Sequence, residues 1–249
     1  MATVKFSLDF NGSFHQFTAD EKYTIDHDKS FEEIKKQYKK IIRDVLGNLF
    51  VYTVTSNNGD EDKMIRLAEY LLDIGANIDY NLYEKTPLIL AMDDPADGKV
   101  RSKIVKFLID NGAKIDGNTR SGWSPILHAC ETNDLSIVEK MVENGAKLTD
   151  VDDDKYYNTL ILSLNKECSI DLVKYLVDGG ADINFKSTED NETPLMRACE
   201  NCSAEIVQYL IDKGADIHAQ DIYGLTALAY AIKAGNEEVV GLLKKIIRG

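Results

Sequence analysis

Tryptophan occurs once in this chain, and histidine, cysteine and proline four times each, among 249 residues. Four cysteines at this length do not make a disulfide framework, so a reducing, cytoplasmic setting is expected. Basic residues are also short: 29 Lys and Arg stand against 42 Asp and Glu, a net charge of −13. That excess of carboxylates argues against a nucleic-acid backbone or an anionic membrane as partner, because both repel it at long range. It suits a basic protein partner, or plain solubility. No apolar run approaches the roughly 18 residues that span a bilayer. The first residues, MATVKFSLDFNGSFHQ, lack a basic region followed by an apolar stretch, so no signal peptide is expected. The glycosylation-type sequences at Asn11 and Asn201 would then go unused.

What the chain has instead is a period. Gly-Ala recurs at Gly75, Gly112, Gly145, Gly180 and Gly214, at spacings of 37, 33, 35 and 34 residues. An amphipathic run precedes each one: MIRLAEYLLDI, IVKFLIDN, IVEKMVEN, LVKYLVDG and IVQYLIDK. The glycine after each run suits a left-handed C-cap. About twelve residues on comes a helix start. It reads Thr86-Pro87-Leu88, Ser124-Pro125-Ile126, Asn158-Thr159-Leu160, Thr193-Pro194-Leu195 and Thr226-Ala227-Leu228. One unit is therefore turn, helix, short loop, helix, glycine.

These units resemble the ankyrin repeat, whose motif reads Thr-Pro-Leu-His-x-Ala in a period of about 33 residues. The resemblance runs from Gly75 to Gly249 and implies an all-α solenoid of five stacked units, 75–111, 112–144, 145–179, 180–213 and 214–249. The motif histidine is replaced throughout, by Ile89, Leu127, Ile161, Met196 and Ala229, and the third unit lacks the Thr-Pro step. The first unit is lengthened around DDPADGKVRS. A stacked array tolerates such changes on its surface.

Upstream, residues 31–74 read as a capping helix followed by a degenerate helix pair beginning near Gly47. Ser30 and Glu33 form a capping box, and Phe31, Ile34, Tyr38, Ile41 and Val45 mark one helix face. Residues 1–30 read as a β-hairpin and linker. Val4, Phe6, Leu8 and Phe10 alternate, Asn11-Gly12 makes the turn, and Phe17 is expected opposite Phe6. A lone hairpin is unstable in water, so it is expected to cap the amino-terminal end of the stack.

Several stretches carry the letters of chemistry. GWSPILHACE, residues 122–131, brings Ser124, His128 and Cys130 together. Winding the inner helix at about 100° per residue puts Ile126, Ala129 and Cys130 on the core side and His128 on the other. Residues two apart do not face each other, so His128 and Cys130 are no catalytic pair, and Ser124 is an N-cap. CENC, Cys199 to Cys202, has knuckle spacing but no second ligand pair; Cys168 is expected to approach Cys202 from the adjacent unit. A small metal or redox protein built on Cys168, Cys199 and Cys202 is the least favoured reading. DVDDDK, residues 150–155, begins like a calcium loop but has Lys155 and Ile161 where Gly and Glu are needed. No enzyme activity, cofactor or metal is expected.

A solenoid presents a concave surface of inner helices and turn tips. The tips carry Tyr83, Trp123, Tyr156, Tyr157 and Tyr223, with Tyr80 and Phe185 expected to pack between turns. The groove-facing helix positions carry Leu90, His128, Leu162, Arg197 and Tyr230, then Asp93, Glu131, Asn165, Glu200 and Lys233. Aromatics ringed by charge have the composition of interface hot spots, and Trp123 is the expected anchor. The expectation is a monomeric protein-recognition module whose acidic groove meets a basic face on its partner. The alternative is a dedicated inhibitor, of the immunity type, that occludes a basic enzyme such as a nuclease toxin.

Overall fold

A computed structural model describes residues 5–10, 13–18, 30–55, 60–92, 102–115, 124–149 and 157–248. Two strands, β1 (Lys5–Phe10) and β2 (Ser13–Thr18), pair antiparallel with Phe6 opposite Phe17, the register the alternation predicts. The turn residues Asn11 and Gly12 lie outside the described residues. The expected capping role does not follow from the structure. The strands contact each other, and no comparable contact joins them to a helix among the described residues.

The helices follow in pairs. The first is α1 (Phe31–Thr55) with α2 (Glu61–Asp73), then α3 (Pro87–Met92) with α4 (Ser102–Asp110). Next come α5 (Pro125–Glu131) with α6 (Leu135–Glu143), and α7 (Thr159–Ser163) with α8 (Ile170–Asp178). The last pairs are α9 (Pro194–Asn201) with α10 (Ala204–Asp212), and α11 (Ala227–Ala234) with α12 (Glu237–Arg248). Inner helices pack in a row, α1 on α3, α3 on α5, then α7, α9 and α11. Outer helices form a parallel row, with α2 on α4, α4 on α6, α8 on α10 and α10 on α12.

The repeated glycines end the outer helices as the pattern predicts. Gly75, Gly112, Gly145, Gly180 and Gly214 have φ between +83° and +99°. Each following Ala amide reaches back to a core carbonyl, for example Ala76 to Leu71 at 2.8 Å and Ala215 to Leu210 at 3.0 Å, closing a Schellman motif. A side chain would meet nothing within 4 Å at these positions, so backbone conformation and not space demands glycine there.

The sequence boundary at Gly47 is not a break. The helix runs through it unbroken from Phe31 to Thr55, so the expected capping helix and the inner helix of the degenerate pair are one element. The Ser30 hydroxyl and amide both donate to the Glu33 carboxylate at its start, at 2.7 and 3.0 Å. No proline interrupts it, and Gly47 serves as a seat: the Tyr80 ring lies where a Cβ would be, with Cε2 at 2.6 Å from that point. Of the expected apolar face, Ile41 and Val45 are half-buried and Tyr38 is exposed.

The core columns are filled as the winding predicts. Met92, Cys130, Leu164 and Cys199 occupy one equivalent position in successive units and are all buried. Ile232 continues that column and is 56% exposed. Between units, asparagine side chains satisfy the carbonyls that end the inner helices. Asn165 Nδ2 donates to the Glu131 carbonyl at 2.7 Å, Asn201 to Leu164 at 3.3 Å and Asn236 to Cys202 at 3.0 Å. Helix termini leave such carbonyls without intrahelical partners, so these bonds both cap a unit and fasten it to its neighbour.

Candidate functional site on the inner helices

A cleft of about 960 Å³ runs over α5, α7 and α9. Its floor is apolar, made by Ile161, Leu162 and Leu164, which are buried. Its walls are polar: His128, Glu131, Thr132 and Asp134 from the second unit, Asn165, Lys166 and Glu167 from the third, and Arg197 and Asn201 from the fourth. Tyr157 closes one side.

Six of the residues singled out in the sequence meet here: His128, Glu131, Tyr157, Leu162, Asn165 and Arg197. Leu162 is 7% exposed and lies in the cleft floor. Close packing of α7 between its neighbours keeps that exposure low. His128 does point away from the helix's own core, but it is not open surface. Its Nε2 lies 2.9 Å from the Met92 carbonyl, and its Nδ1 3.4 Å from the Glu131 carboxylate. It ties the second unit to the first, and it has no hydrogen-bonding or ion-pair link to Cys130, whose thiol is fully buried and pushed up by that burial. Ser124, His128 and Cys130 therefore do not join into one hydrogen-bonded set. Ser124 is the N-cap of α5, though its hydroxyl makes no cap bond.

Other expected residues lie elsewhere. Tyr83 and Tyr223 stand on turn tips, 88% and 76% exposed, away from the cleft. Tyr83 has φ +53°, a turn-tip conformation. Leu90 and Glu200 are half-buried and outside the lining. Tyr230 is held within its own unit, its hydroxyl donating to Asp221 Oδ2 at 3.0 Å. Asp93, Trp123 and Tyr156 fall outside the described residues. The sequence reading missed Asn201 and the outer-helix cap Asp134, both of which border the cleft. A signal was present for the first: asparagine recurs at the end of the inner helices as Asn133, Asn165, Asn201 and Asn236.

The electrostatics of the cleft are mixed. Arg197 Nη2 lies 3.2 Å from Glu192 Oε2, and its guanidinium sits 5.9 Å from the centre of the Tyr157 ring. Glu192 is 8% exposed; burial pushes its carboxyl up to about 7 against the pull of Arg197, with Asp190, Glu200 and Asp221 adding repulsion. At Asp134 burial opposes ionisation, yet hydrogen bonds from Ser102, Ser136 and the Ile137 amide, with Lys106 nearby, hold the carboxyl below its ordinary value. That leaves Glu131 and Glu167 as exposed carboxylates on the rim, with Lys166 as an exposed cation there. The lining presents no His, Cys, Asp and Glu cluster able to hold a metal, as is so among all described residues.

The family model for ankyrin repeats matches three overlapping stretches, residues 55–152, 96–187 and 160–247. The chain belongs to the ankyrin repeat family. Ankyrin repeats are protein–protein interaction modules, and they are generally non-catalytic. Human B-cell lymphoma 3 protein is 30% identical over 187 residues, covering 74% of this chain and 39% of that protein. The mouse B-cell lymphoma 3 protein homolog is 38% identical over 96 residues, 38% of this chain and 20% of its own length. Rabbit ankyrin repeat and SOCS box protein 5 is 30% identical over 94 residues, 38% of this chain and 28% of its own. The chain thus spans well under half the length of each of these relatives. No helix among the described residues is long and apolar enough to cross a membrane.

Proposed function

We propose that this ankyrin array is a non-catalytic recognition module that holds a basic segment of a partner protein in the cleft over α5, α7 and α9. The supporting observation is the balance of charge at the rim. Glu131 and Glu167 are exposed there against one exposed cation, Lys166, whereas the cleft's guanidinium, Arg197, is already engaged by Glu192. An apolar floor beneath a carboxylate rim suits a Lys- or Arg-bearing segment with an apolar anchor. Free cysteines support a reducing, cytoplasmic setting, and the chain works as a monomer in this reading.

The test is affinity capture with the wild-type chain and with a Glu131→Lys, Glu167→Lys variant, at low and high salt, followed by calorimetry on the purified partner. The expected result is a basic protein retained by the wild type, released by salt and not retained by the variant. Equal affinity for both chains would sink the cleft assignment. Trp123→Ala in the same assay tests the turn-tip anchor. If the partner is an enzyme, loss of its activity at saturation marks an occluding inhibitor, and unchanged activity marks an adaptor.

A further inference from the structure

Cys168 stands between α7 and α8, and Cys202 is the C-cap of α9. They occupy corresponding places in successive units: each directly precedes the N-cap serine of its outer helix, Ser169 for α8 and Ser203 for α10. Stacking of the third and fourth units brings one over the other. The Asn165 carbonyl marks how close the approach is. It accepts the Cys168 amide at 3.0 Å and the Cys202 thiol at 3.8 Å. Both cysteines are free thiols, Cys168 half-buried and Cys202 5% exposed.

The two sulfurs differ in character. The Cys202 thiol facing Cys168 lowers the Cys168 pKa, burial opposes it, and the amides of Cys168 and Ser203 add to the lowering. The same contact, followed by burial, pushes Cys202 up. The remaining thiols are inert by comparison. Cys130 and Cys199 are fully buried, and burial alone pushes Cys199 up to about 12. A partly exposed thiol of lowered pKa with a second cysteine beside it is the arrangement of a peroxide-sensitive site.

We propose that Cys168 is a modification site, a peroxide-reactive thiol with Cys202 as its resolving partner, the two closing a disulfide that staples the third unit to the fourth. The Cys168 thiolate attacks one peroxide oxygen; the O–O bond breaks and the leaving hydroxide or alkoxide takes a proton. Cys168 is then a sulfenic acid. The Cys202 sulfur attacks Cys168 Sγ, the S–O bond breaks, and water leaves with the Cys202 proton. Overall two thiols lose two electrons and two protons, and the peroxide is reduced to water and water or an alcohol.

The experiment uses the full chain, reduced and then exposed to hydrogen peroxide. Thiols counted after denaturation should fall from four to two, and a tryptic digest should yield a linked peptide pair, short of two hydrogens, whose fragmentation between Cys199 and Cys202 places the bond from Cys168 on Cys202. Cys202→Ser should accumulate a sulfenic acid at Cys168 that dimedone traps, and Cys168→Ser should keep its remaining thiols. A readout without substitution guards against a misfolded variant: native iodoacetamide should alkylate Cys168 at least about tenfold faster than Cys130 or Cys199, and prior alkylation should abolish the linkage. Linkage through Cys199, cross-linked dimers in place of an internal bond, or equal alkylation of all four thiols would each overturn the assignment.

Discussion

Gly47 offers the sharpest test of how α1 joins the array, because two effects of known size oppose each other there. In an exposed helix interior, Gly→Ala stabilises by about 1 kcal/mol. Here a Cβ would fall on the Tyr80 ring, with Cε2 at 2.6 Å and two further ring atoms nearer still. Carbon atoms rest at about 3.5–4.0 Å, so the ring must retreat by about 1.5 Å. Tyr80 is half-buried, and its hydroxyl lies 3.5 Å from Asn48 Nδ2, which limits that retreat. Overpacking of this kind costs about 1–3 kcal/mol. The expected net effect of Gly47→Ala is therefore a loss of about 1 kcal/mol. In a Tyr80→Ala background the obstacle is gone, and the same substitution should stabilise by about 1 kcal/mol. The coupling in a double-mutant cycle is then about 2 kcal/mol, measured by urea unfolding followed by far-UV circular dichroism. Stabilisation of equal size in both backgrounds would refute the docking of Tyr80 on α1.

Two further outcomes are expected. Glu192 has a folded-state pKa of about 7, above its ordinary 4.5, so the folded chain binds the extra proton and its contribution to stability falls as pH rises through that window. The loss is at most about 3 kcal/mol, and Glu192→Gln should flatten the slope of unfolding free energy between those pH values; an unchanged slope would place the cause elsewhere. Asn165→Ala removes donations to the Glu131 and Leu162 carbonyls at 2.7 and 3.2 Å, and should cost about 1–3 kcal/mol in chemical denaturation, with faster amide exchange at the ends of α5 and α7. No change in either measurement would mean that water replaces those bonds fully.

The periodic features were legible because they are local. A helix C-cap at Gly112 or Gly214 requires only that one residue adopt a positive φ, and the residue type announces it. Thr193 before Pro194 announces a helix start in the same way, and its hydroxyl does accept the Met196 amide at 3.3 Å. The inward column through Cys130 and Cys199 followed from winding alone. What the sequence did not reveal depends on the neighbouring unit. Whether Gly47 breaks a helix or seats a ring is decided by Tyr80, far away in the chain. How much of Leu162 stays exposed is decided by the helices on either side of α7. His128 looked like a groove residue, and it borders the cleft, but its Nε2 is taken by a carbonyl of the preceding unit. Such pairings have no fixed sequence offset once loop lengths vary between units.

The asparagine links between successive inner helices have a mechanical meaning. Each joins one unit to the next and reaches no further, so the array has springs only between adjacent masses. A small rotation at one joint is resisted by a few bonds, such as Asn201 to Leu164 and Asn236 to Cys202, while rotations at successive joints add. The stiff coordinate of the molecule is therefore the thickness of a unit, and the soft one is its curvature. Any force applied at the cleft over α5, α7 and α9 would bend a beam near its middle, and the ends would sweep through the largest arc.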